Sequence, residues 1–174
     1  MNKPRFHFLA GMILLAVASR LIPHSPNFSP IAALALFSGA KFSDKRQAFF
    51  VPLAAMFLSD LLLGLDSLVP VIYGSFALIV SLGIWLRWRQ NIWAINSAAV
   101  VGAVLFFTLT NFGVWAIGHL YPRTPAGLVA CFVAGIPFFQ NTLLSNLLYA
   151  NLLFGGMAIA ENRFVKLREG SLAS

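Results

Sequence analysis

Of 174 residues, 59% are hydrophobic and only 10% are charged, against about 25% charged in soluble domains, so the composition excludes an ordinary soluble globule and makes the bilayer the fitting solvent. The net charge of +7 lies in small groups between long apolar runs, with no basic face interleaved with aromatics, which argues against nucleic acid as a partner. Cys131 is the single cysteine, so internal disulfides and multi-cysteine metal sites are excluded.

The expected fold is all-α: one integral membrane domain over residues 1–174, a polytopic bundle of about six transmembrane helices. The first apolar run, 6–22, follows Lys3 and Arg5. Its Ala16-Val17-Ala18 also suits a signal-peptide cleavage site; uncleaved, the run makes a short span of ~25 Å. Next comes Pro23-His24-Ser25-Pro26-Asn27-Phe28-Ser29-Pro30, a loop whose prolines fix φ and remove donors, so it should hold one shape. His24 has the chemistry of a metal ligand, but His7 and His119 are the only other histidines, so no metal or other cofactor is expected. Asn27 is the better candidate for contact with a solute.

The run 30–42 gives only ~20 Å of helix against ~30 Å of hydrocarbon, which leaves open whether it spans. Ala35 and Gly39, four apart on it, offer a small-residue face for docking partner subunits. The run 47–65 carries Asp60 near its far end. A carboxylate in a membrane helix costs about 2.5–3.5 kcal/mol on insertion scales, so it needs a partner or a wet cavity. Both a ligand contact and an ion pair with Arg20 satisfy that requirement. The run 68–86 ends beside Trp85, Trp88 and Trp93, rings suited to a membrane interface.

In the run 92–118, Thr108, Asn111 and Trp115 share one helical face. Such a stripe either glues helices together or walls a pocket, and the aromatic favours the pocket. Thr124-Pro125 is a helix start, an N-cap followed by proline at the first position. One straight helix from there to Ala160 would be ~55 Å long, too long for a single bilayer crossing. Gly135-Ile136-Pro137 offers a break, so a short outer helix over about 125–134 and a span over 137–160 are expected. Asn141, Thr142, Ser145, Asn146 and Tyr149 form one broad polar face on that last span, while Gln140 and Asn151 point elsewhere and read as packing contacts.

With six spans and an inside N-terminus, Lys3, Arg5, Lys41, Lys45, Arg46, Arg87, Arg89, Arg163, Lys166 and Arg168 lie on the cytoplasmic side and only Arg20 and Arg123 outside. Omitting the second span and inverting the chain gives nine to three, so charge bias leans towards six spans with both termini in the cytoplasm. Arg20, Asn27, Asp60, Asn111 and Asn141 then gather towards the outer side. A cavity open outward and closed inward follows, the shape of a receptor for a small solute. A small autonomous transporter or channel is the alternative. The chain has no Gly-x-x-x-x-Gly-Lys-[Ser/Thr] loop, no His-Glu-x-x-His and no Gly-x-Ser-x-Gly, so no enzymatic activity is expected and an intramembrane enzyme ranks last.

Four blocks carry a family resemblance: Arg20-Leu-Ile-Pro-His-Ser-Pro-Asn-Phe-Ser-Pro-Ile-Ala-Ala-Leu-Ala-Leu-Phe-Ser-Gly-Ala, Thr110-Asn-Phe-Gly-Val-Trp-Ala, Tyr121-Pro-Arg-Thr-Pro-Ala-Gly-Leu and Ile136-Pro-Phe-Phe-Gln-Asn-Thr-Leu-Leu. Together they resemble an uncharacterised family of bacterial membrane proteins. That family in turn looks like the substrate-binding S components of energy-coupling factor (ECF) transporters, through size, span number and the pattern Leu58-Ser59-Asp60-Leu61. The resemblance implies a receptor in the bacterial inner membrane for a vitamin-like micronutrient, working with a transmembrane coupling subunit and two ATPase subunits. The motif-matching positions it marks for the site are Arg20, His24, Asn27, Asn111, Trp115, Arg123 and Asn141. An acidic residue is common in the relatives near Asn146, and the amide here puts a charge-based role at that position in doubt. Arg20 and Arg123 would suit a carboxylate or phosphate, Asp60 a positive group, and Trp115 a ring.

Overall fold

A computed structural model describes residues 3–19, 25–64 and 67–168. It is all-helical, with no strand among the described residues. The helices are α1 (Lys3–Ala18), α2 (Ile31–Lys41), α3 (Lys45–Leu63), α4 (Val69–Leu86), α5 (Ile92–Ile117) and α6 (Pro125–Arg163), followed by a 3₁₀ turn at Val165–Leu167. Four of them, α3 to α6, are long and apolar enough to cross a membrane. Trp85, Trp88 and Trp93 are all exposed near one end. Arg20 and His24 lie outside the described residues.

Helix α2 organises the rest. Every residue from Ala32 to Ala40 is buried, and α1, α3, α4, α5 and α6 all contact it. Alanines and one glycine keep it thin enough for neighbours to close around it. At ~1.5 Å per residue its 11 residues reach about 16 Å, half the hydrocarbon thickness. Enclosed by protein, it has no need to span, because the neighbouring helices shield its ends from lipid. Its one buried hydroxyl, Ser38, donates to the Ala48 carbonyl at 2.7 Å.

Ala35 and Gly39 are therefore not a docking face for another subunit. Ala35 is 2% exposed, and a Cβ on Gly39 would collide with the backbone of Val80 and Gly83. A Cβ on Gly83 would in turn strike the Leu36 carbonyl and lie 3.0 Å from Gly39 Cα. The small residues serve the internal crossing of α2 with α4.

Helix α6 begins as the sequence suggests, with the Thr124 hydroxyl accepting from Gly127 N–H at 3.2 Å. It does not break. Instead of a short outer helix over 125–134 and a separate span over 137–160, a single helix of 39 residues runs through Pro137, about 58 Å at ~1.5 Å per residue. Proline removes one backbone bond, and helices packed alongside compensate for it in a bundle. Gly135 serves packing: a Cβ there would overlap Asn111 Oδ1 and come within 2.9 Å of the Phe107 ring. The Gly-Ile-Pro signal thus marks a close approach of α5 and α6.

Several of the basic residues also staple the bundle. The buried Arg5 donates to Glu161 Oε1 at 2.7 Å and to the Leu167 carbonyl, and Lys41 Nζ lies 3.7 Å from the other oxygen of Glu161. Arg87 donates to the carbonyls of Gly39 and Ser43, each at 3.1 Å, and of Phe42, while Gln90 reaches Ala40 at 3.3 Å. The unpaired carbonyls and negative dipole end of α2 are thereby capped by cationic and amide donors.

Candidate functional site

The opposite end of the bundle is built differently. Because α2 starts only at Ile31, residues 25–30 enter the space above its N-terminus. Phe28 N–H closes a turn onto the Ser25 carbonyl at 3.0 Å, and Asn27 sits at φ 61°, a left-handed conformation that asparagine tolerates better than most residues. The Asn141 amide donates to the Pro26 carbonyl at 2.9 Å, and the Phe28 ring meets Tyr149 at 6.2 Å. The segment is clamped to α6 from below.

Two chambers flank it. The smaller, about 290 Å³, lies among α2, α3, α4 and α5 and reaches Thr142 of α6. The larger, about 430 Å³, lies between α4, α5 and α6 under the connection that carries Leu120 and Tyr121. Asn27, Ile72 and Phe106 belong to the walls of both. These volumes suit a small organic molecule.

In the smaller chamber, Asp60 is 9% exposed and its Oδ2 accepts from the Tyr73 hydroxyl at 2.8 Å. Phe76 and Phe106 stack at 5.5 Å with planes 15° apart and form an aromatic wall. In the larger chamber, Asn111 donates its amide to the Phe107 carbonyl at 2.8 Å. Cys131 Sγ lies 3.4 Å from the Asn111 carbonyl, so the lone cysteine is a wall residue. Among the described residues no three His, Cys, Asp or Glu side chains converge as a metal site would require.

Of the residues singled out from sequence, Asn27, Asp60 and Asn111 line the two adjoining chambers. Asn141 acts one step back, through the loop it clamps. Trp115 is not in either wall: its indole N–H donates to the Pro122 carbonyl at 3.1 Å and its ring meets Phe112 at 5.5 Å, bracing the turn before α6. Arg123 is exposed and lines neither chamber. The polar stripe of α5 also divides, since Thr108 is exposed and Thr110 is the threonine in the wall.

The polar face of α6 divides as well. Thr142 lines the smaller chamber, whereas Ser145 and Asn146 are buried in helix packing, with Asn146 donating to the Ala99 carbonyl of α5 at 2.8 Å. Asn151, read as a packing contact, bonds Asn96 at 2.7 Å. Tyr73 was missed, although a tyrosine in an apolar run needs a partner for its hydroxyl, and Asp60 at the same end of the preceding run was available.

The chain belongs to a family of unknown function, DUF6580. The family model matches residues 1–167. No curated protein and no solved structure matches the chain.

Proposed function

We propose that this chain is a membrane-embedded receptor that captures a small solute from the outer side of the bacterial inner membrane. The observation that carries this reading is the contrast between adjoining chambers at one end and a capped, ion-paired network at the other. Ten of the twelve Lys and Arg residues fall at the capped end in this reading, and the positive-inside rule assigns that end and both termini to the cytoplasm. The chambers then face outward, and all six helices lie within the membrane domain, with α2 enclosed by the others.

In its finer form the proposal is an S component of an ECF-type importer. Its support is the resemblance of the Arg20–Ala40, Thr110–Ala116, Tyr121–Leu128 and Ile136–Leu144 blocks. A chain without a nucleotide-binding loop that moves its solute uphill draws on a coupled ion or on partner subunits, and this reading assigns it a transmembrane coupling subunit and two ATPase subunits. Native mass spectrometry of the protein extracted from its host membrane tests this. The expected result is a co-purifying small molecule, with a fraction of the chain in complex with those subunits. A bare chain under gentle extraction contradicts the proposal.

A further inference from the structure

Helix α2 is the most enclosed helix of the bundle, yet its first turn is left uncapped. Its first internal bond runs from Leu34 N–H to the Pro30 carbonyl at 2.8 Å, so the N–H groups of Ile31, Ala32 and Ala33 precede the ladder. Pro30 brings no side-chain cap, and among the described residues no acceptor meets these donors. Ala32 and Ala33 are both buried. Buried backbone donors are nearly always paired, and leaving one unpaired costs about 1–3 kcal/mol.

Ser29, just ahead of Pro30, is the residue type that ordinarily turns its oxygen back onto such donors. Here it does not, because its Oγ is shut off from solvent and has no partner. Ser29, Ile31 and Ala32 stand together in the wall of the smaller chamber instead. Donors without acceptors thus gather at one edge of a cavity of about 290 Å³, where the positive end of the α2 dipole also lies. Phe76 and Phe106, stacked in the wall of the same chamber, give a ring a flat apolar surface. Asp60, whose Oδ2 already accepts from Tyr73, need take no part.

We propose that the N-terminus of α2 and the Ser29 hydroxyl form the subsite that takes an acceptor oxygen of the solute, a carbonyl or a carboxylate. This rests on the capture reading above and deepens it. The probes are benzoate, benzamide and benzylamine, one ring with a carboxylate, with a carbonyl and with no oxygen, each added at millimolar concentration to the full-length protein in lipid nanodiscs. The expected result is a rise in Tm of about 2–4 °C with benzoate or benzamide and none with benzylamine; which of the two acts tells carboxylate from carbonyl. Ser29→Ala should weaken the effective probe about three- to tenfold, the loss of one hydrogen bond, with little change in the Tm of the unliganded protein. Ser29→Asp supplies the α2 donors with an acceptor of the chain's own and should remove the probe's effect. Stabilisation by benzylamine alone, or by none of the three, overturns the subsite, and native mass spectrometry then decides capture separately. A lower unliganded Tm in Ser29→Ala with unchanged probe affinity makes Ser29 a helix cap only and also overturns it.

Discussion

Helix α2 has two ends that meet opposite fates. Its C-terminal carbonyls receive Arg5, Arg87 and Gln90, and the Arg5–Glu161 pair closes the bundle over them. Its N-terminus stops short and opens onto a clamped loop and two chambers. The same shortness accounts for both, since a full-length central helix would fill the space the chambers occupy. Polar residues in this protein thus divide by what surrounds them: at the capped end they hold backbone carbonyls and the Arg5–Glu161 pair, and at the open end Asn27, Asp60, Thr110, Asn111 and Thr142 line the chamber walls.

That comparison can be broken in several ways, the most damaging first. Gly39→Leu or Gly83→Leu drives a side chain into the facing backbone, a clash no rotamer relieves, and should abolish the folded monodisperse protein in size-exclusion chromatography. Glu161→Gln removes the carboxylate that pairs with the buried Arg5 and should destabilise the protein by about 1–3 kcal/mol, read as a lower Tm in detergent, with solute binding retained in the protein that remains folded. Asn111→Ala should remove solute binding without loss of folding, because it strips a polar amide from the wall of the larger chamber. Retention of the co-purifying molecule would remove Asn111 from the site. Asn141→Ala frees the loop from α6 and should weaken solute affinity while lowering stability by only about 1 kcal/mol. The smallest effect belongs to Arg123→Ala, which should change both by less than about 0.5 kcal/mol because the side chain is exposed and outside the chambers.

Much of this was legible in the sequence for simple reasons. The helical class and the long apolar helices follow from hydropathy alone, and α5 occupies Ile92–Ile117 where the run 92–118 is read. Asp60 stood out because a carboxylate in an apolar run demands an explanation, and it lines a chamber. Features that depend on which helix lies alongside were not legible. Gly135-Ile136-Pro137 looks like a break until α5 is placed against it. Ala35 and Gly39 look like an external docking face until α4 covers them. Arg5 reads as a topology charge, and its buried pairing with Glu161, 156 positions away, has no local signature. Trp115 suggested a binding ring because helical spacing places a residue on a face and says nothing of the loop that returns to cover it.

The central claim is that the chambers face the outside and the ion-paired end faces the cytoplasm. Labelling of intact cells with a membrane-impermeant maleimide tests it most directly, using Tyr121→Cys in the larger chamber's wall and Arg89→Cys at the basic end, each in a Cys131→Ala background. The account predicts labelling at position 121 in intact cells and at position 89 only after the membrane is opened. The reverse pattern would place the chambers on the cytoplasmic side and contradict solute capture from outside.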